Sequence, residues 1–173
     1  MKTIKLTFLL LLLMATGFSA NTQEKFRVQA MFVYNFARMT AWPQSYQSGD
    51  FVIGVYGSTP VYKEMSDLSS MRSVGNQPVT IKQFDNVADL EDCHILFIAP
   101  NQSRQVEEIT NTLKRNNIHA LVITEGRNTL AKGSVINFII ENDRPRYELS
   151  LANAQKMGLT LGAEISRLAS SVK

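Results

Sequence analysis

The sequence predicts an α/β fold: one domain with a mostly parallel central sheet, helices flanking both faces, and an antiparallel hairpin late in the chain at the sheet edge. Three observations lead there. The run Cys93–Pro100 is almost wholly apolar and too short for a typical helix, the pattern of a strand buried on both faces, and such strands belong to helix-covered parallel sheets. An amphipathic stretch follows, with Val106, Ile109 and Leu113 on one helical face and Arg104, Glu107, Glu108 and Lys114 elsewhere. His119–Thr124 is then a second buried-type strand, so the three make a strand-helix-strand unit with a right-handed crossover.

The elements can be justified in order. Asn21 with Glu24 three residues on resembles a capping box, although Asn stands where Ser or Thr is usual. The helix that follows is unusually apolar, with only Asn35 strongly polar between Ala30 and Ala37. Either it is buried nearly all round, or it offers an apolar surface to a partner. Trp42-Pro43 ends it, because the residue before a proline avoids helical angles. Phe51–Tyr56 is a buried-type strand, and Pro60 suits the first turn of a helix capped by Ser58 or Thr59 and running to about Ser69. Val79–Phe84 is a more amphipathic strand. Ser103 is a candidate cap for the helix after the central run, and Asn116-Asn117 its end. Val135–Ile140 and Arg146–Leu151 read as strands joined by a turn at Glu141–Arg144, with Tyr147, Leu149 and Leu151 on one face and Arg146, Glu148 and Ser150 on the other. Pro145 suits a sheet edge. A short helix ends at Gly158, and a last one places Ile165, Leu168, Ala169 and Val172 on one side.

The leading 20 residues read as a secretory signal: Lys2 and Lys5, then a leucine-rich run to Met14, then Gly17–Ala20 for cleavage after Ser19 or Ala20. The run is shorter than the ~20 residues that span a bilayer, and no later stretch is long enough either. Residues 21–173 then form the domain. The whole chain carries 18 basic and 15 acidic residues, and without Lys2 and Lys5 the balance is 16 to 15. Nothing in that balance suggests a nucleic-acid surface.

Catalytic patterns are absent from the sequence: no G-x-S-x-G, no H-E-x-x-H, no phosphate-loop lysine motif. His94 and His119 both start strands, and no ligand set with metal-site spacing accompanies them. The lone Cys93 has no internal disulfide partner and reads as a packed thiol. Ligands in open α/β sheets bind beyond the strand carboxyl ends. Those ends offer Ser58, Thr59, Asn101 and Arg127, with Gly54 and Gly57 at a strand-to-helix turn.

Four stretches together resemble the YfiR-like family of secreted bacterial proteins: Ala30–Arg38 with Trp42-Pro43; Phe51–Gly57; Cys93–Ile98; and Gly133–Phe138 with Arg144-x-Arg146-Tyr-Glu-Leu-Ser150 and Ala154-x-x-x-Gly158-Leu. The resemblance spans nearly all of the chain after the leader. It implies a compact periplasmic α/β domain, often a dimer. It also implies binding to, and repression of, the periplasmic sensory domain of an inner-membrane signalling protein. In the best-known branch that protein is a diguanylate cyclase, so release of the inhibitor raises cyclic di-GMP and favours biofilm. That branch carries cysteine pairs linked to redox state, whereas this sequence has only Cys93.

The expectation is therefore a non-enzymatic regulator without cofactor, metal or nucleic acid. Phe32, Phe36 and Trp42 are the expected apolar contacts to the partner, and Arg144, Arg146 and Glu148 the orienting polar ones. The alternative is a small-molecule-binding sensor module acting with a membrane sensor kinase through the strand-end residues named above.

Overall fold

The computed structural model describes residues 23–173, so the expected leader and the Asn21 cap lie outside the described residues. Helix α1 covers 23–39. After it come β1 (Thr40–Ala41), β2 (Phe51–Tyr56), α2 (Val61–Ser69), β3 (Ser73–Val74), β4 (Gln77–Phe84), β5 (Ile95–Ile98) and α3 (Val106–Arg115). The second half holds β6 (Leu121–Thr124), β7 (Ile136–Glu141), β8 (Arg144–Leu149), α4 (Leu151–Lys156), β9 (Thr160–Leu161), α5 (Ala163–Arg167) and β10 (Ser171–Val172).

The main sheet has eight strands in the order β10-β8-β7-β6-β5-β2-β4-β3. Five of them, β4, β2, β5, β6 and β7, run parallel. β8 turns back against β7, β10 lies parallel to β8, and β3 turns back against β4. The sheet is thus mostly parallel, with antiparallel strands at its margins. A separate two-stranded ladder joins β1 to β9.

The central strands earn their position by composition. Every residue of β5 and β6 is buried, as expected of strands enclosed on both faces. Gly54 sits in β2 because the neighbours leave no room for a side chain: a Cβ there would lie 2.7 Å from the Phe84 ring. α2 packs on β4. In α1, Ala30, Val33, Tyr34, Phe36 and Ala37 are all at most 2% exposed, while Arg27, Asn35 and Arg38 face solvent with Met31. The alternative left open by the sequence resolves toward burial of one face: the large apolar groups Val33, Tyr34 and Phe36 are enclosed, and the outer ridge is polar apart from Met31. Both oxygens of Glu125, just past β6, are taken by α1, through Lys25 and Gln29.

The structure corrects the sequence at the late strands. β8 begins at Arg144, and its turn from β7 is only Asn142-Asp143, with φ of 51° and 59°. Two consecutive left-handed residues make the tight turn that matches strand twist, and Asn and Asp tolerate that conformation better than most. Leu151 does not continue the strand. It opens α4 and is 40% exposed, while the Ser150 hydroxyl accepts the Asn153 amide at 3.3 Å. The expected last helix stops at Arg167, and Ser171–Val172 pairs with β8 instead. An unpaired strand edge offers backbone partners that one more helical turn does not. β8 is therefore not the outermost strand: β10 covers it at Glu148–Leu149. The expected Ser103 cap also moves, since α3 starts at Val106 after a short turn over Pro100–Gln102.

Truncating Phe36 to Ala removes a sealed aromatic and should cost about 3–5 kcal/mol of folding free energy. Met31→Ala, on the outer ridge, should stay within about 0.5 kcal/mol. Urea denaturation midpoints of the two variants check both values.

Candidate partner-binding surface

Arg144, Arg146 and Glu148 occupy alternate positions of β8, so their side chains leave the same face of the sheet. Their partners in β7 are Glu141, Ile139 and Asn137. Together Glu141, Asn142, Arg144 and Arg146 line an open depression of about 350 Å³. Arg146 lies 3.7 Å from Glu141, with both side chains about half exposed. Such an exposed pair contributes little to stability. Glu148 is placed from inside the sheet. The buried Asn137 amide donates to Glu148 at 3.3 Å, and its carbonyl accepts from Thr124, Thr129 and the Gly126 amide. The sequence placed Glu141 and Asn142 in the turn but not in the surface. The signal was there: the tight turn puts Glu141 directly opposite Arg144.

The expected apolar contacts are positioned differently. Phe36 is 1% exposed, its ring edge-on to Tyr147 at 4.9 Å and tilted against Phe138 at 6.2 Å. Burial removes it from any surface a partner reaches while α1 stays seated. Phe32 is half-buried and stacks on Phe36 at 5.8 Å. Trp42 is half-buried at the other end of the strands, edge-on to Phe51 and His94, with its indole N–H donated to Ala37 O at 3.0 Å. The three aromatics do not form one exposed patch.

At the strand carboxyl ends, Ser58, Asn101 and Arg127 are exposed and Thr59 half-buried. No hydrogen bond joins any two of the four among the described residues. Strand order reverses between β2 and β5, where an open sheet leaves a crevice. Here the chain fills it. Gly57, at φ +80°, would place a Cβ 2.7 Å from Gln102 Cγ. The Gln105 amide donates to Gln102 at 2.6 Å and its carbonyl accepts Tyr56 O–H at 2.9 Å.

A family model described as YfiR/HmsC-like matches residues 26–170, which is most of the chain. The chain belongs to the YfiR/HmsC-like family. No curated protein matches it. Membership suggests a regulatory rather than catalytic role, that of a periplasmic component of cyclic di-GMP signalling. Among the described residues no helix is long and apolar enough to cross a membrane, and no three His, Cys, Asp or Glu side chains gather as a metal site.

In this YfiR/HmsC-like chain the histidines hold the amino ends of the strands. His94 Nδ1 accepts the Val52 amide at 3.1 Å, so Nε2 carries the proton it donates to Tyr46 O at 2.6 Å. The Tyr46 ring lies edge-on to both His94 and His119, and its hydroxyl accepts the His119 amide at 3.0 Å and donates to Asp92 at 3.2 Å. His119 Nδ1 meets Met157 O at 2.9 Å. These are satisfied structural contacts. Cys93 beside them is fully buried, and burial pushes its thiol up to about 12.

Burial also holds His94 below its ordinary pKa, against smaller opposing effects from its Tyr46 bond and from Asp92. The unfolded chain takes up that proton at about pH 6.5, the folded chain only at lower pH. His94 therefore supports full stability above about pH 6.5, and stability should fall as pH drops through and below that value. Urea midpoints measured from pH 7.5 to 5.5 should decline in the native chain and decline less in His94→Gln.

Proposed function

We propose that this chain is a periplasmic, non-enzymatic regulator that binds the outer sensory domain of an inner-membrane signalling protein and represses it, with a diguanylate cyclase as the output. The leader over residues 1–20 is the export signal in this reading. The observation that carries it is the YfiR/HmsC-like match over residues 26–170. The surface that best suits the task is the strip Arg144, Arg146 and Glu148 beside the depression at the β7–β8 turn. Its cations and carboxylates stand on a rigid strand, so a partner with complementary charges gains orientation without ordering a loop. Phe32 and Trp42 contribute by supporting α1 and the loop after β1, and whatever apolar contact they make is at their half-exposed edges.

The test pairs the chain with a membrane diguanylate cyclase that carries a periplasmic sensory domain. Co-expression should lower cellular cyclic di-GMP, and the purified outer domain should bind the chain directly. Replacing both Arg144 and Arg146 by Ala should weaken that binding by about thirtyfold, roughly 2 kcal/mol, if they include an interface hot spot. Unchanged cyclic di-GMP together with no binding would sink the reading. Full binding by the double variant would move the interface elsewhere.

A further inference from the structure

The strip assigned to the partner is already occupied, by the chain itself. The segment Ser170–Lys173 lies along β8 and takes its outward main-chain groups: Ser170 N–H donates to Tyr147 O at 2.8 Å, Lys173 N–H to Leu149 O at 2.8 Å, and Leu151 N–H to Lys173 O at 3.0 Å. The segment also engages the charged side chains. Arg146 Nε donates to the Ser170 hydroxyl at 3.4 Å, and that hydroxyl donates to Glu141 at 2.9 Å. The Ser171 hydroxyl donates to Glu148 at 3.4 Å, and the Lys173 ammonium stands 3.7 Å from the same carboxylate.

None of these four residues is buried: Ser170 and Ser171 are half-exposed, and Val172 and Lys173 exposed. β10 is only two residues long. Tyr147 and Leu149 beneath it are, by contrast, 1% and 0% exposed. Lifting the segment off exposes the main-chain edge of β8 and withdraws no buried residue. The edge also has a defined end. Tyr147 O points outward, so Pro145, two residues earlier, lies on the same side and lacks the N–H that further pairing needs. The exposed site is short, running from Tyr147 to Leu151 and flanked by Glu141, Arg146 and Glu148.

We propose that the outer edge of β8 is a strand-addition site for an extended polypeptide segment of the partner, running parallel to β8, and that Ser170–Lys173 is the built-in competitor for it. This rests on the partner-binding reading above. Main-chain pairing supplies the attachment, and the flanking side chains supply selection. The chain's own occupant shows the chemistry selected: two successive hydroxyl residues, one at Glu141 and one at Glu148, then a small apolar residue, then a base near Glu148. Arg144 and Arg146 additionally favour an acidic residue toward the β7–β8 turn.

The probe is a fluorescent peptide carrying the sequence of residues 168–173, titrated into the full chain and into a full chain with Ser170→Pro and Lys173→Pro, which removes the donors to Tyr147 O and Leu149 O. The doubly substituted chain should bind the peptide at least tenfold more tightly than the unmodified one. Equal affinity, or no binding to either, overturns the proposal. Hydrogen exchange on the unmodified chain decides independently of how the variant folds. The Leu151 amide should exchange at least a hundredfold faster than the Ile123 amide in β6, and exchange of both at the same rate overturns the proposal. If the unmodified chain is a dimer that the two prolines dissociate, the edge belongs to a second copy and not to a different partner. Peptide binding without any binding of the cyclase's outer domain keeps the strand-addition site and defeats the regulatory reading. Equal binding of that outer domain by both chains keeps the regulatory reading and defeats the competition.

Discussion

The aromatic seam between α1 and the β7–β8 pair is the contact on which the rest depends. Phe36 meets Tyr147 edge-on at 4.9 Å, Phe32 meets the same ring at 5.6 Å, and Phe138 closes the group. The parallel strands get their cover from helices that the chain makes while crossing between them, as with α2 between β2 and β4 and α3 between β5 and β6. β7 and β8 are joined by two residues and have no crossover helix. Their large apolar side chains need a lid from elsewhere in the sequence, and α1 provides it. Offset and edge-on aromatic packing fixes orientation as well as burying area, so the seam also sets where the antiparallel pair stands relative to the parallel strands.

Seating β8 has a result on its opposite face. With Tyr147 and Leu149 turned inward, the alternation of the strand obliges Arg144, Arg146 and Glu148 to face outward together. Asn137 links the two sides of this arrangement. It gathers hydroxyls and an amide at the end of β6 and presents its own amide to Glu148. A carboxylate held from within the sheet keeps its direction, whereas Arg146 relies on exposed neighbours. The charged strip of β8 thus carries one fixed anion and two adaptable cations.

Much of this was legible in the sequence. The buried strands at Phe51, Ile95 and Leu121 declared themselves by short apolar runs, and α3 by its spacing of Val106, Ile109 and Leu113. The shared outward face of Arg146 and Glu148 followed from period two alone. What escaped was decided by tertiary partners. The burial of Phe36 depends on Phe138 and Tyr147, which are a hundred residues away in the chain. The fate of Leu168–Val172 was settled by an open edge on β8, against a local pattern that suited a helix. The occupied crevice at Gly57 depended on Gln102 and Gln105, whose polar side chains gave no hint that they would turn back onto the strand ends.

The solitary thiol has a practical consequence. Cys93 is 0% exposed and its ionisation is suppressed, and the thiolate is the reactive form. Toward alkylating reagents and maleimide dyes, the native fold should therefore act as though it were cysteine-free. A cysteine introduced at any surface position can then carry a single spectroscopic label, with the wild-type background left in place. Slow modification of Cys93 itself would time the rare openings that reach the middle of the sheet.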